Sequence, residues 1–425
     1  MSDRPLSDVK ILDLTRLLPG GFCTLLLADL GADVIKVEDT GQGDYVRWAP
    51  PYYGTDEQTP LGTRSAIYLS LNRNKRSIRL DLKHEGGRQA LIKLAETADV
   101  VVESFRPGVL DKLGVGYEVL RQANPALVYC PITGYGQDGP NRDRAGHDQN
   151  YLGLNGVLGL TGEAGGPPIQ SGAQIADLGG GALMAALGIL AALQEAGRSG
   201  EGQVVDISMT DGSLAWLVME AGRYFGSGEV PKRGEVMLSG GIICYRPYEA
   251  ADGWVTCGAL EPKFWGRFCT AVGREDLIEH QFASPGSEPH RDVEEIFKTK
   301  TRDQWRAFND EQDAMIEPIL DLDEALESEL AREREMVISY EQPELGEIKQ
   351  LGFPIKLSRT PASVERPAPA LGEHTAELLM DAGYSAEEVK ALEESGAAKG
   401  PDAAQKEEPF LDARVLRGGA EEQPV

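Results

Sequence analysis

With 425 residues, 42 basic against 68 acidic side chains and a formal net charge of -26, the chain is too long for one ordinary core and too acidic to take nucleic acid or an anionic membrane surface as its main partner. Hydrophobic residues at 41% are ample for two cores, and any anionic ligand needs a local basic patch. The five cysteines, Cys23, Cys130, Cys244, Cys257 and Cys269, form no CxxC pair and are odd in number, so neither a disulfide framework nor a zinc site is expected. The N-terminus has no basic stretch followed by an apolar run, and no stretch approaches the roughly 18 apolar residues of a membrane helix. A cytoplasmic chain without a membrane partner is the expectation.

Taken in order, residues 9–14 have the alternation and β-branched content of a strand, Pro19-Gly20-Gly21 leads into a helical apolar run over 22–30, and 32–38 is a second strand. This is a βαβ unit, the building block of a parallel sheet. Its first turn lacks GxGxxG, so an ordinary dinucleotide site is not supported. A strand at 78–82 follows Arg73-Asn74-Lys75-Arg76-Ser77, a cluster that by itself reads as solvated charge. A helix over about 85–97 feeds a strand at 99–103, and 127–132 repeats the pattern. Ser104-Phe105-Arg106-Pro107-Gly108 is then a loop at the carboxyl end of a parallel strand, where open α/β sheets bind ligands.

Helices follow, the clearest over 178–196, then a strand over 202–208 and a helix over 209–221. Residues 240–258 read as short strands turning at Ala251-Asp252-Gly253, and Glu261-Pro262-Lys263-Phe264-Trp265 opens a helix. The expected organisation is α/β: a Rossmann-like parallel-sheet large domain over 1–224, a smaller α+β domain over 225–325, a return to the large domain over 326–395, and an acidic tail from 396 to 425 whose Ala, Gly, Glu and Pro content reads as disorder.

The stretch from Gly146 to Ala186 holds the chemistry. Gly146-His147-Asp148 stands at one end and Ala176-Asp177-Leu178-Gly179-Gly180-Gly181 at the other. A histidine and an aspartate, each beside glycines that let a ligand approach the backbone and each near the start of an apolar run, read as paired proton carriers placed by two helix N-termini. By itself Asp177 reads equally as a helix N-cap, and His147 as a histidine satisfied by Asp148.

Collinear motifs carry a resemblance: Lys75-Arg76-Ser77 with Leu80-Asp81-Leu82-Lys83, Phe105-Arg106-Pro107-Gly108, Gly134-Tyr135-Gly136-Gln137, Gly146-His147-Asp148, Ala176-Asp177 with its glycines, Glu261-Pro262-Lys263-Phe264 and Gly372-Glu373-His374-Thr375. With them the chain resembles the family III CoA-transferase (CaiB/BaiF) superfamily, closest to its α-methylacyl-CoA racemase branch, over roughly residues 5 to 385. The resemblance implies an interlocked homodimer and an acyl-CoA substrate, with no metal and no cofactor beyond the CoA moiety of that substrate. It implies that His147 and Asp177 are the two acid/bases of a racemase or epimerase of 2-methyl-branched acyl-CoA thioesters, with Glu261 holding His147 and amides near Asp177 as candidate donors to the enolate oxygen. In the transferases of the family the same aspartate is a nucleophile that passes through an aspartyl-CoA thioester, which is the alternative activity. For CoA itself the resemblance implies Leu80, Asp81, Leu82, Lys83, Ser104, Phe105, Arg106 and Lys112 against the nucleotide and its phosphates, and Gly146, Asp148 and Tyr151 along the pantetheine. The arginine that the family carries after the second strand is not evident here, since Asp39 occupies that neighbourhood. Ser239-Gly240-Gly241-Ile242-Ile243 replaces the branch's Asp-Gly-Gly-Ala-Pro, so an altered acyl pocket is expected.

Overall fold

The computed structural model describes residues 4–54 and 63–401. The chain divides into two compact units: one holds the chain up to Tyr151, Gln174–Ser213 and the chain from Glu333 onward, the other Leu152–Ala173 and Leu214–Arg332. The second unit is therefore wider than the expected 225–325, and it takes in a segment just after the Gly-His-Asp motif.

In the first unit, strands β1 (Lys10–Leu14), β2 (Asp33–Glu38), β3 (Lys75–Arg79), β4 (Val100–Glu103), β5 (Val128–Thr133) and β6 (Ile207–Ser208) form one sheet in the order β3-β2-β1-β4-β5-β6. All five pairings are parallel. Helices on both faces exclude water from the middle strands, which is why they read as unbroken apolar runs such as Val100-Val101-Val102. The crossover helices are α1 (Leu18–Asp29), α2 (Ala66–Asn72), α3 (Glu85–Ala95), α4 (Val109–Leu113) and α5 (Tyr117–Ala123). From β1 the chain builds outward to β2 and β3, then returns to lay β4 on the other side of β1. The loops after β1 and β4 diverge there, and a crevice opens between them at the carboxyl edge.

The third strand starts at Lys75, three residues before the expected 78, and this corrects the reading of 73–77 as solvated charge. Lys75 is fully buried and donates to Asp13 Oδ2 (3.2 Å), Thr24 Oγ1 (2.8 Å), Asn72 Oδ1 (3.0 Å) and the Gly21 carbonyl (3.1 Å). Arg73 pairs with Asp29 at 2.6 Å and Arg76 with Asp33 at 2.6 Å. Alongside them Lys36 meets Asp44 at 2.8 Å and Arg47 meets Glu38 at 2.7 Å, all four side chains at most 2% exposed. Charges so deep are tolerated only because each is paired and hydrogen-bonded.

Next come α6 (Asp148–Leu154), which runs out of the first unit, and α7 (Val157–Leu160) in the second. Residues Ile175–Leu183 then turn as a π-helix that continues into α8 (Met184–Ser199). Together they make 25 residues long and apolar enough, by length and composition, to cross a membrane, which corrects the expectation that no such stretch exists. In the structure one face, with Ala185, Ile189, Ala192 and Ala196, is buried, and α8 packs on β5 and α1. Gly180 must be glycine: a Cβ there would lie 2.6 Å from the Met209 carbonyl oxygen.

The second unit has the expected turn at 251–253, joining antiparallel β7 (Tyr245–Ala250) and β8 (Gly253–Gly258). A third strand, β9 (Ile316–Pro318), pairs with β8. Its core is aromatic: Phe297 stacks on Tyr248 at 4.5 Å and on Phe268 at 5.2 Å, and the buried indoles of Trp265 and Trp305 donate to the carbonyls of Leu277 and Phe297.

The expected disordered tail is corrected over 396–401. Ala397 and Ala398 are buried, the Asp81 amide donates to the Ala397 carbonyl (2.9 Å), and Ala398 bridges to Leu80. The remainder of that tail, 402–425, lies outside the described residues.

The buried pair of Glu38 and Arg47 gives a direct test. Burial alone would raise the Glu38 carboxyl, but the Arg47 guanidinium overrides it and holds the group at about 2, below its ordinary 4.5. A depressed acid stabilises the fold above its unfolded value and loses that contribution as pH falls through the folded one. Glu38→Gln should therefore lower the unfolding free energy in urea at pH 7 by about 3–5 kcal/mol, because it removes the charged carboxylate that takes both Nε and Nη2 of the buried Arg47. The difference from the parent should shrink between pH 4.5 and about 2. A loss below about 1 kcal/mol at pH 7 contradicts the assignment.

Candidate active site

His147 ends the loop that leads into α6, where its amide donates to Asn150 Oδ1 (3.0 Å) and its carbonyl accepts the Asn150 amide (2.8 Å). Its side chain is exposed. The next residue does not satisfy the histidine. Asp148 is buried, and its Oδ1 accepts the amides of Ala176 (2.7 Å) and Asp177 (3.0 Å), two of the orphan donors at the start of the π-helical turn. Asp148 is thus the cap of that helix, which leaves Asp177 without the capping role that sequence alone allowed. The same contact draws the 146–148 loop onto the 175–177 turn.

Asp177 is half-buried, and three groups set its acidity. Loss of water raises its pKa most, the neighbouring Asp148 carboxylate adds to that, and His147 opposes; the net result is a carboxyl pushed up from 3.8 to about 6. A carboxyl at that value exchanges its proton readily near neutral pH. The amides of 176 and 177 are taken by Asp148, and the Leu178 amide donates to the Gln174 carbonyl at 2.9 Å. This corrects the expectation that those amides serve an enolate oxygen.

Tyr151 is 4% exposed and donates its hydroxyl to the Gly146 carbonyl, with its ring edge-on to Tyr135 at 5.2 Å. It braces the loop that carries His147, and a Cβ at Gly134 or Gly146 would collide with its ring.

The crevice at the switch point between β1 and β4 is an open groove of about 340 Å³, lined by Arg16, Asp39, Leu80, Asp81, Lys83 and Phe105 among others. Four expected CoA contacts, Leu80 to Lys83, come to one wall, and Phe105 to another. Ser104 is engaged from within, since its Oγ accepts the Arg16 amide at 3.0 Å. Arg106 and Lys112 are exposed nearby in sequence, on the loop after β4 and on α4. The loop after β1 is strained: Leu17 has φ 63° and ψ -149°, a region that costs a non-glycine residue about 1–3 kcal/mol. It is held there by side chains from the buried ionic layer, Asp44 Oδ1 accepting the Leu17 amide (3.0 Å) and Lys36 donating to the Thr15 carbonyl (3.0 Å).

The CoA-transferase family III pattern matches residues 6–375. The chain belongs to this family. It is 37% identical to the mouse protein named alpha-methylacyl-CoA racemase over 91% of this chain and 96% of that one, and 34% identical to the human protein named succinyl-CoA:glutarate CoA-transferase over 89% and 86%. Among solved structures, a CaiB/BaiF family protein from Brucella suis superposes with a TM-score of 0.76 at 33% identity, covering 89% of this chain and 99% of that one. As a family III CoA-transferase relative, the chain is an enzyme acting on CoA thioesters, by racemisation or by CoA transfer.

Of the residues expected for such an enzyme, Gly146, His147, Asp148, Tyr151 and Asp177 share the first unit and cluster. Glu261 is in the second unit, exposed at the N-cap of α11 (Pro262–Ala271), where its carbonyl accepts the Phe264 amide at 3.0 Å. Sequence reading missed Arg16, which lies directly in the groove. The signal for Arg16 was its place just past β1 at the switch point.

The raised pKa of Asp177 is a cost to the fold. A carboxyl whose folded value lies above its unfolded one destabilises the protein once ionised, so the penalty appears as pH rises from 3.8 through about 6. Asp177→Asn should accordingly raise Tm at pH 8 and leave it unchanged at pH 3.5 or below. An unchanged or lower Tm at pH 8 contradicts the raised value.

Proposed function

We propose that the chain is a racemase or epimerase of 2-methyl-branched acyl-CoA thioesters, working by 1,1-proton transfer between His147 and Asp177. The observation that carries this reading is that Asp148 draws the loop of His147 onto the 175–177 turn and frees Asp177 from capping, with its carboxyl raised to about 6. A thioester acidifies its α-hydrogen; one of the two groups removes it, and the other returns a proton to the opposite face of the enolate. Asp177, raised to about 6, can serve as acid or base, and His147 is its opposite number in this reading. Glu261 acts in this reading as the partner of His147, and the reaction takes no metal and no redox cofactor.

The second reading is CoA transfer through Asp177 as nucleophile, favoured by relatives of that activity at similar identity. It gives His147 no role in the chemistry, which is why the racemase is preferred. The working form in this proposal is a cytoplasmic homodimer. What supports a second copy is the apolar stripe that runs from the end of the π-helical turn into α8, where Leu183, Leu187 and Leu190 stand exposed at helical spacing, Leu187 at 65%.

Incubating the protein with one enantiomer of a 2-methylacyl-CoA in deuterium oxide tests the proposal. C2 should gain deuterium with loss of configuration, and Asp177→Ala should slow this by about 10²–10⁴-fold. With Asp177 as the base, kcat/KM should fall on the acid side with an apparent pKa near 6. A C2 that keeps its protium while added free acids acquire CoA replaces the racemase with the transferase.

A further inference from the structure

The groove at the switch point carries an unexpected charge arrangement. Its lining cations are Arg16 and Lys83, against the carboxylates Glu38, Asp39 and Asp81, so a groove expected to hold phosphates has no excess of positive charge. Glu38 is spent on Arg47, but Asp39 is spent on the groove's own arginine. Its Oδ2 takes Arg16 Nη2 at 2.8 Å, while its Oδ1 is fixed by the amides of Gly41 (2.8 Å) and Gly43 (3.2 Å). Arg16 is held just as firmly: Nη1 donates to the Tyr45 hydroxyl (2.9 Å), its amide donates to Ser104, and the guanidinium lies 5.0 Å from the Tyr45 ring centre and 5.8 Å from that of Phe105. Both side chains stay part-exposed, at 31% and 41%, so the pair faces the opening rather than the core.

Of the five N–H donors of the Arg16 guanidinium, one on Nη2 goes to the Asp39 carboxylate and one on Nη1 to the Tyr45 hydroxyl; donors remain, but the charge of Arg16 is matched by that of Asp39. In dinucleotide-binding α/β sheets an acidic residue past the second strand accepts a ribose hydroxyl, whereas an arginine nearby takes a ribose phosphate; this chain lacks their glycine fingerprint, so only the charge argument carries over. Asp39 follows β2 directly and is of the first kind.

We propose that Asp39 sets the nucleotide specificity of this groove: by neutralising Arg16 and placing a carboxylate at the opening, Asp39 makes the groove read the nucleoside through stacking and hydroxyl contacts, with little gain from a ribose phosphate. The ligand class is an adenine nucleotide thioester whose 3′-phosphate is dispensable. This rests on the reading that the groove binds CoA, and not on which reaction follows.

Calorimetric titration of the full chain with CoA and with 3′-dephospho-CoA, at low ionic strength, tests it. The parent protein should bind the two within about threefold of each other. Asp39→Asn keeps the Oδ1 acceptor for the glycine amides and removes only the charge, so Tm should be unchanged. It should tighten CoA by about fivefold, the effect of one unit charge near 4 Å in water, and leave dephospho-CoA within about twofold. That gain should vanish when Arg16→Gln is added, and should shrink at high salt. A parent that prefers CoA by more than about tenfold, or an Asp39→Asn variant that shifts both ligands alike or neither, overturns the proposal. A parent that binds neither compound overturns the CoA reading itself, and does so before any variant is made.

Discussion

Asp148 Oδ1 accepts two amides at once, those of Ala176 and Asp177, and the site depends on that contact. The two segments it joins are separated by a stretch, 152–173, that belongs to the other compact unit. Without a buried acceptor at Asp148, the start of the π-helical turn would present unsatisfied donors, and Asp177 would be drawn into capping them. With it, the Asp177 carboxyl is left beside His147 in a half-dry setting where its acidity is set by desolvation and by the Asp148 charge. One interaction thus fixes the geometry of the pair and tunes one member of it. Tyr151 supports the same loop through the Gly146 carbonyl.

The groove at the switch point rests on a different constraint, the buried ionic layer beneath the carboxyl edge of the sheet. Asp13 illustrates how it holds together: burial would raise its carboxyl, but Lys36 and Lys75 bring it to about 2. Because each ion there has a partner, the layer can hold the Thr15–Leu17 loop in a strained conformation with Arg16 turned into the groove. Strain of this kind persists only where the surroundings over-determine the backbone. Here a lysine, an aspartate and a serine each take one of its polar groups.

Much of this was legible in the sequence for definite reasons. β1, β2, β4 and β5 are buried on both faces and so appear as apolar runs, and His147 and Asp177 are marked by glycines that permit close approach. Other features leave no local trace. Arg76 meets Glu377 across 301 residues of chain, so nothing beside it reveals that it is paired. The capping role of Asp148 depends on amides 28 and 29 residues away. Arg16 and Asp39 look like unrelated surface charges until the sheet brings the ends of β1 and β2 together. The 175–199 helix escaped notice as one long apolar element because alanine and glycine, rather than leucine, supply much of it. The Gly396–Pro401 segment read as disorder from its composition, yet two alanines small enough to pack bind it to the end of β3.

The central claim is that Asp177 moves a proton and not an acyl group. The most direct measurement is intact-protein mass spectrometry after incubation with a 2-methylacyl-CoA in deuterium oxide, read alongside the mass of the recovered thioester. The account predicts a thioester heavier by one deuterium at C2 and a protein of unchanged mass. A protein heavier by the CoA moiety, with the adduct mapped to Asp177 and no deuterium in the thioester, would contradict it.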